Sequence, residues 1–105
     1  MMRHVSVFRV KPEYRDPETI QMLEDTLKAL PERLPTVTSC EIGVKPFPLP
    51  TGSPDGAVLF YDLIQILTFE TPEDCAGYPK TEGHLDFLSF SSPYMEQVAA
   101  IDYPV

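Results

Sequence analysis

The chain of 105 residues sets 16 Asp and Glu against 8 Lys and Arg, a formal charge of −8, and 43% of it is apolar. That length allows one compact domain over residues 1–105, and that apolar share can fill its core without disulfide or metal staples, which sets disorder aside. The acidic balance, with its few cations dispersed singly, gives no electrostatic footprint for a phosphate backbone or an anionic bilayer, so nucleic acid and membrane are excluded as main partners.

From Arg3 to Val10 the residues alternate, with His4, Ser6, Phe8 and Val10 on one face and Val5 and Val7 on the other, which predicts a strand with both faces partly covered. Asp16-Pro17-Glu18 then supplies an N-cap, a proline at the first helical position and an acid for the positive dipole end. The helix that follows carries Ile20, Leu23, Leu27, Leu30 and Leu34 on one stripe, and Pro31 ends or kinks it, leaving a short extra turn over Glu32 to Leu34. Thr36 to Val44 is rich in β-branched residues and predicts a second strand, weakened by Gly43. Pro46 to Gly56 reads as a loop between antiparallel strands, and Val58 to Phe69 as the strongest strand of the chain, with Leu63, Gln65, Leu67 and Phe69 opposing Ile64 and Ile66. Thr71-Pro72-Glu73-Asp74 repeats the helix-start grammar for a short helix opposed by Gly77 and Pro79. His84 to Phe90 adds a helical turn or two before Pro93, and Gln97 to Tyr103 reads as a closing strand.

The order β-α-β-β-α-β is that of an α+β, ferredoxin-like fold: a four-stranded antiparallel sheet with the helices on one face. The other face would expose Val5, Val7, Ile64 and Ile66, an apolar patch best covered by a symmetric homodimer. The interrupted apolar runs hold no membrane span or lipidation signal, which points to a cytoplasmic protein. Cys40 and Cys75 form no CxxC pair, and His4 and His84 have no Cys nearby, so neither a disulfide nor a metal site is expected.

Taken in order, RHVSVFRVKP, LPERLPTV, YDLIQILTFET and the ending IDYPV resemble the stress-responsive dimeric α/β-barrel family, the Dabb domain, over almost the whole chain. The resemblance implies two ferredoxin-like protomers joining their sheets into a barrel, and it brings in the family's polyketide cyclases of the olivetolic acid cyclase type, cofactor-free lyases that close a polyketide by an aldol step. Their catalytic histidine follows a tyrosine by six positions, as His84 follows Tyr78, and a first-strand pocket histidine is matched by His4. The chain departs from the family in keeping only the last histidine of a His-Pro-x-His stretch, at Thr81-Glu82-Gly83-His84. It also has Leu27 and Leu63 where the cyclases have a pocket tyrosine and histidine, which implies a different substrate.

The chemistry suits these residue types. A histidine near pH 6.5 can take a proton from a carbon acid and return it, and a protonated tyrosine can hydrogen-bond a carbonyl whose oxygen gains charge as an enolate forms. His84, Tyr78 and His4 are therefore the candidate catalytic residues, and Ser6, Phe8, Leu23, Leu27, Leu63, Gln65 and Phe87 the candidate substrate contacts, with no metal and no cofactor. Plainer readings stand beside these. His84 serves as a helix-start residue, Tyr78 as a core aromatic, His4 as a satisfied core histidine and the leucines as core. Gln65 needs a partner: His4, water or a ligand. Two functions follow, a cofactor-free enzyme acting on a small hydrophobic oxygenated molecule by enolisation, cyclisation or dehydration, or a non-catalytic stress-responsive or ligand-binding dimer. Oxygenation without a cofactor is a third, with no specific support in the sequence.

Overall fold

The computed structural model describes residues 1–44 and 61–105. Four strands, β1 (Met2–Val10), β2 (Val37–Val44), β3 (Leu63–Phe69) and β4 (Met95–Pro104), form one antiparallel sheet in the order β2-β3-β1-β4. Helices α1 (Pro17–Ala29), α2 (Pro72–Gly77) and α3 (Glu82–Ser91) connect them. The fold is ferredoxin-like, with β1 and β3 at the centre. The helix starts are built as the sequence implies. Asp16 accepts the Thr19 N–H at 2.8 Å, and Thr71 accepts that of Asp74 at 3.1 Å. A 3-10 turn over Leu30–Arg33 follows α1, in keeping with Pro31.

The strand alternation sorts the two faces. His4, Ser6, Phe8 and Val10 of β1 and Leu63, Gln65, Leu67 and Phe69 of β3 are buried on the helix side, against Leu23, Leu27, Leu30 and Leu34. On the other face Val5, Val7, Ile64 and Ile66 are only half-buried and Ile101 is exposed. Gly43 lies opposite Ile64, whose Cγ2 would stand 2.8 Å from a Cβ at that position, so the missing side chain is what lets the strands close there.

Three expectations need correction. The third strand begins at Leu63: Asp62 lies outside the pairing register, its N–H donating to the Phe8 carbonyl at 2.8 Å while its carboxylate accepts the Val10 N–H at 2.8 Å. The Pro46 to Gly56 loop and residues 58–60 lie outside the described residues. The last helical segment is a full helix of ten residues, because Thr81 caps it and Gly83 lets its first turn press onto Arg33, whose Cβ would lie 2.7 Å from a Cβ at Gly83. The closing strand is also longer than Gln97 to Tyr103, running over Met95–Pro104. Among the described residues no helix is long and apolar enough to cross a membrane, no group of His, Cys, Asp or Glu is placed to hold a metal ion, and both cysteines are free thiols.

Candidate active site

The central strand sets the site's floor. Residues directly opposite in a sheet share a face, so the pairings of β1 lay down two inward rungs: Asp102, His4 and Leu67, then Ala100, Ser6 and Gln65. Helix α3 and the turn before it form the roof. Thr81 fixes that turn: its hydroxyl donates to the Tyr78 carbonyl at 2.7 Å and accepts the His84 N–H at 3.3 Å, so one side chain holds both candidate residues of the Tyr-x5-His spacing. A cavity of about 300 Å³ lies between floor and roof, small but within reach of a compact ligand. His4, Ser6, Gln65, Tyr78 and His84 belong to its polar lining, while Phe8, Phe87, Leu88 and Val98 line apolar walls. Ala100 carries only a methyl group opposite Ser6, which helps leave that space open.

The three candidate catalytic residues come together. Tyr78 Oη lies 2.5 Å from His4 Nε2, the two rings meet edge to face at 4.8 Å, and the Tyr78 and His84 rings do so at 4.9 Å. His4 Nε2 also faces Ser6 Oγ at 2.9 Å, and its Nδ1 donates to the Asp102 carboxylate in a short contact. A carboxylate can only accept, so Nδ1 carries a proton and Nε2 of the neutral ring is left to accept the tyrosine hydroxyl. The result is a chain from Asp102 at the surface, its side chain 47% exposed, through His4 to a buried Tyr78. Burial pushes the Tyr78 phenol well above its ordinary range, and the negative charge of Asp102 adds to this. The hydroxyl therefore stays protonated at neutral pH.

His84 sits at the cavity wall, half-buried. Its Nδ1 lies 3.0 Å from the Pro79 carbonyl and donates to it, which leaves Nε2 as the unprotonated nitrogen. Burial lowers its pKa below the usual histidine value; the Pro79 carbonyl opposes this and His4 assists it. The neutral, proton-accepting ring is thus the form present near pH 7.

Among the candidate substrate contacts, Ser6, Phe8, Gln65 and Phe87 line this cavity. Leu23, Leu27 and Leu63 do not: they are 0–2% exposed in the core, beneath or beside it, because alternation specifies a face but not a depth. Leu27 reaches the site only through its carbonyl, which accepts from Gln65 Nε2 at 2.9 Å. Asp102 is the residue that sequence reasoning missed. The signal lay in the closing IDYPV, but using it required the β1–β4 register, and no tight hairpin fixes that register locally.

A family model for the stress responsive A/B barrel domain (Dabb) matches residues 2–105. The chain belongs to this family. Among solved structures the Dabb chain is similar to a protein of Arabidopsis thaliana, 23% identical with a TM-score of 0.80, the match covering 100% of this chain and 95% of the other. A dimeric ferredoxin-like protein of unknown function from Thermobifida fusca is 18% identical, with a TM-score of 0.75 and coverage of 99% and 90%. A hydroxynitrile lyase from Passiflora edulis is also 18% identical, with a TM-score of 0.74 and coverage of 99% and 92%. At such identities the likeness establishes the fold. No curated protein sequence matches the chain significantly.

Proposed function

We propose that this Dabb protein is a cofactor-free enzyme acting on a small hydrophobic oxygenated molecule, polyketide-like or phenolic, and moving a proton next to its carbonyl group. Enolisation, cyclisation and dehydration all begin with that step. The observation that carries the reading is the Asp102–His4–Tyr78 chain ending at a cavity whose wall also presents the unprotonated nitrogen of His84. In the mechanism His84 Nε2 takes the proton from the carbon beside the carbonyl, and charge gathers on the carbonyl oxygen. Tyr78 lies where it could meet that oxygen. With His4 neutral, the phenol hydrogen points to Nε2; a second proton on His4, stabilised by Asp102, reverses that bond and frees the hydroxyl for the substrate. Cavity and fold kinship both fit an enzyme of this kind, since a hydroxynitrile lyase is among the structural neighbours.

The test is hydrogen exchange in D2O, followed by NMR on a panel of aryl ketones and linear polyketones. The wild type should exchange the protons next to the carbonyl faster than buffer does, His84→Gln should fall to the buffer rate, and Tyr78→Phe should lose about 100-fold. Exchange at the buffer rate across the panel would remove the catalytic reading and leave a ligand-binding protein.

The same proposal makes the protein a cytoplasmic homodimer through the open sheet face. Half-buried Val5, Val7, Ile64 and Ile66 with exposed Ile101 form an apolar surface there, and the Thermobifida fusca neighbour is described as dimeric. Sedimentation should give a dimer, and Val7→Glu a monomer.

A further inference from the structure

The inner face of β3 is apolar at Leu63, Leu67 and Phe69, and Gln65 interrupts it while only 2% exposed. A buried amide in a central strand is costly unless each end is partnered. The nitrogen end is accounted for by the sequence of α1. In a helix the Leu27 carbonyl would accept from the N–H of residue 31, which is proline and has none. Gln65 Nε2 supplies the missing donor at 2.9 Å and makes a second, weaker contact to Cys40 Sγ at 3.7 Å. Because a carbonyl can only accept, this fixes which way the amide is turned. The oxygen end is left over. Among the described residues no group donates to Gln65 Oε1, yet Gln65 lines the cavity, directly across the ladder from Ser6.

We infer that Gln65 is a specificity-determining residue whose Oε1 accepts a hydrogen bond from a hydroxyl of the ligand, so that the cavity selects a hydroxylated carbonyl compound, a phenol or enol, over its deoxy or O-methylated counterpart. This rests on the cavity being a ligand site, as in the proposed function. The carbonyl group is taken at Tyr78 and His84, the hydroxyl at Gln65, and the apolar remainder lies toward Leu88 and Val98, which stay 42% and 50% exposed at the cavity's edge. A ligand without the hydroxyl leaves a buried acceptor unpaired, and one with a methyl ether also has to fit an added carbon, so both are disfavoured.

The experiment titrates the protein with the three hydroxyacetophenones, their methyl ethers and acetophenone, following the imidazole and Gln65 side-chain amide resonances by NMR. In the wild type at least one hydroxy isomer should bind about tenfold more tightly than both its ether and acetophenone, and it alone should move the Gln65 amide signals. Gln65→Met should abolish the preference, so that on this variant the hydroxy isomer binds no more tightly than its ether or acetophenone. The variant is also made in a Pro31→Ala background, where residue 31 supplies the N–H that the Leu27 carbonyl needs, so that lost folding is not mistaken for lost recognition. Binding without a hydroxyl preference, or a preference that survives Gln65→Met, would overturn the inference and leave the proposed function standing. No binding by any probe would overturn both.

Discussion

A buried polar side chain serves strand β1 near each end, Asp62 from the entry of β3 and His4 from β1 itself, and the two are satisfied in opposite ways. Near its C-terminal end the Asp62 carboxylate, 5% exposed, accepts the Val10 N–H and faces Arg15 Nε at 3.5 Å; Arg15 in turn approaches Glu96 at 3.4 Å, and Glu96 meets Arg9 at 3.0 Å. The named contacts of this network run between protein groups, and they join the end of β1 to the entry of β3 and the start of β4. Near its N-terminal end His4 passes a hydrogen-bond chain from Asp102 to Tyr78, and that chain stops at a cavity. Equal burial therefore does not mean equal role. A polar group whose partners are backbone and arginine is closed within the fold, whereas one whose chain ends at a cavity has open space beside it.

The largest effect expected from this contrast is on stability, at Asp62. Replacing it with alanine leaves the buried Val10 N–H without its partner and takes from Arg15 one of its two named carboxylates, a loss on the order of 3 kcal/mol that urea unfolding would register. Tyr78→Phe should do the reverse: about 1 kcal/mol of stability from one lost hydrogen bond, against a fall in exchange rate of about 100-fold. If Tyr78→Phe unfolded the protein more readily than Asp62→Ala, the His4 end would be structural too, and the contrast would be lost. Asp102→Asn comes next, at about tenfold in rate with little change in stability, since Asp102 is half exposed. A neutral asparagine amide no longer stabilises the second proton on His4 that frees the Tyr78 hydroxyl for the substrate. A fall in rate with the unfolding midpoint unmoved would mark Asp102 as a positioning residue.

How much of this could be read beforehand depended on how local the physics was. Asp16 and Thr71 announced their helices because a cap is a bond between residues three apart. The face of each inner residue, Gln65 included, followed from alternation. Helix α3 was underestimated, read as a turn or two from His84 when it begins at Glu82, because what seats its first turn, Gly83 against Arg33, is a contact across fifty residues. Leu23, Leu27 and Leu63 were placed on the correct face but at the wrong depth. Asp102 and the nitrogen partner of Gln65 were out of reach for the same reason: each depends on a register or a helix position set only when the whole sheet is assembled.

The smallest effect expected is a pH dependence, and it tests whether His84 belongs with the His4 end. Its pKa in the folded protein is lowered, by burial first, below the ordinary 6.5. The neutral base is then the major form at pH 6.5, and exchange activity should hold at that pH and decline only as the pH falls through the lower folded value. The same shift bears on stability with a definite sign. Between the two values the unfolded chain binds the proton and the folded one does not, so stability rises with pH across that window. The contribution is present above 6.5 and is lost as the pH falls through the folded value. A partly exposed ring makes it modest, so it is best read as a difference: the melting temperature of the wild type should fall more than that of His84→Gln between pH 7.5 and pH 5, as other acid-titrating groups are common to both. An imidazole resonance of His84 titrating at or above 6.5 would mean that solvent reaches the ring freely. His84 would then be a helix-start residue at the rim, and proton removal would have to be assigned to the Tyr78–His4 pair alone.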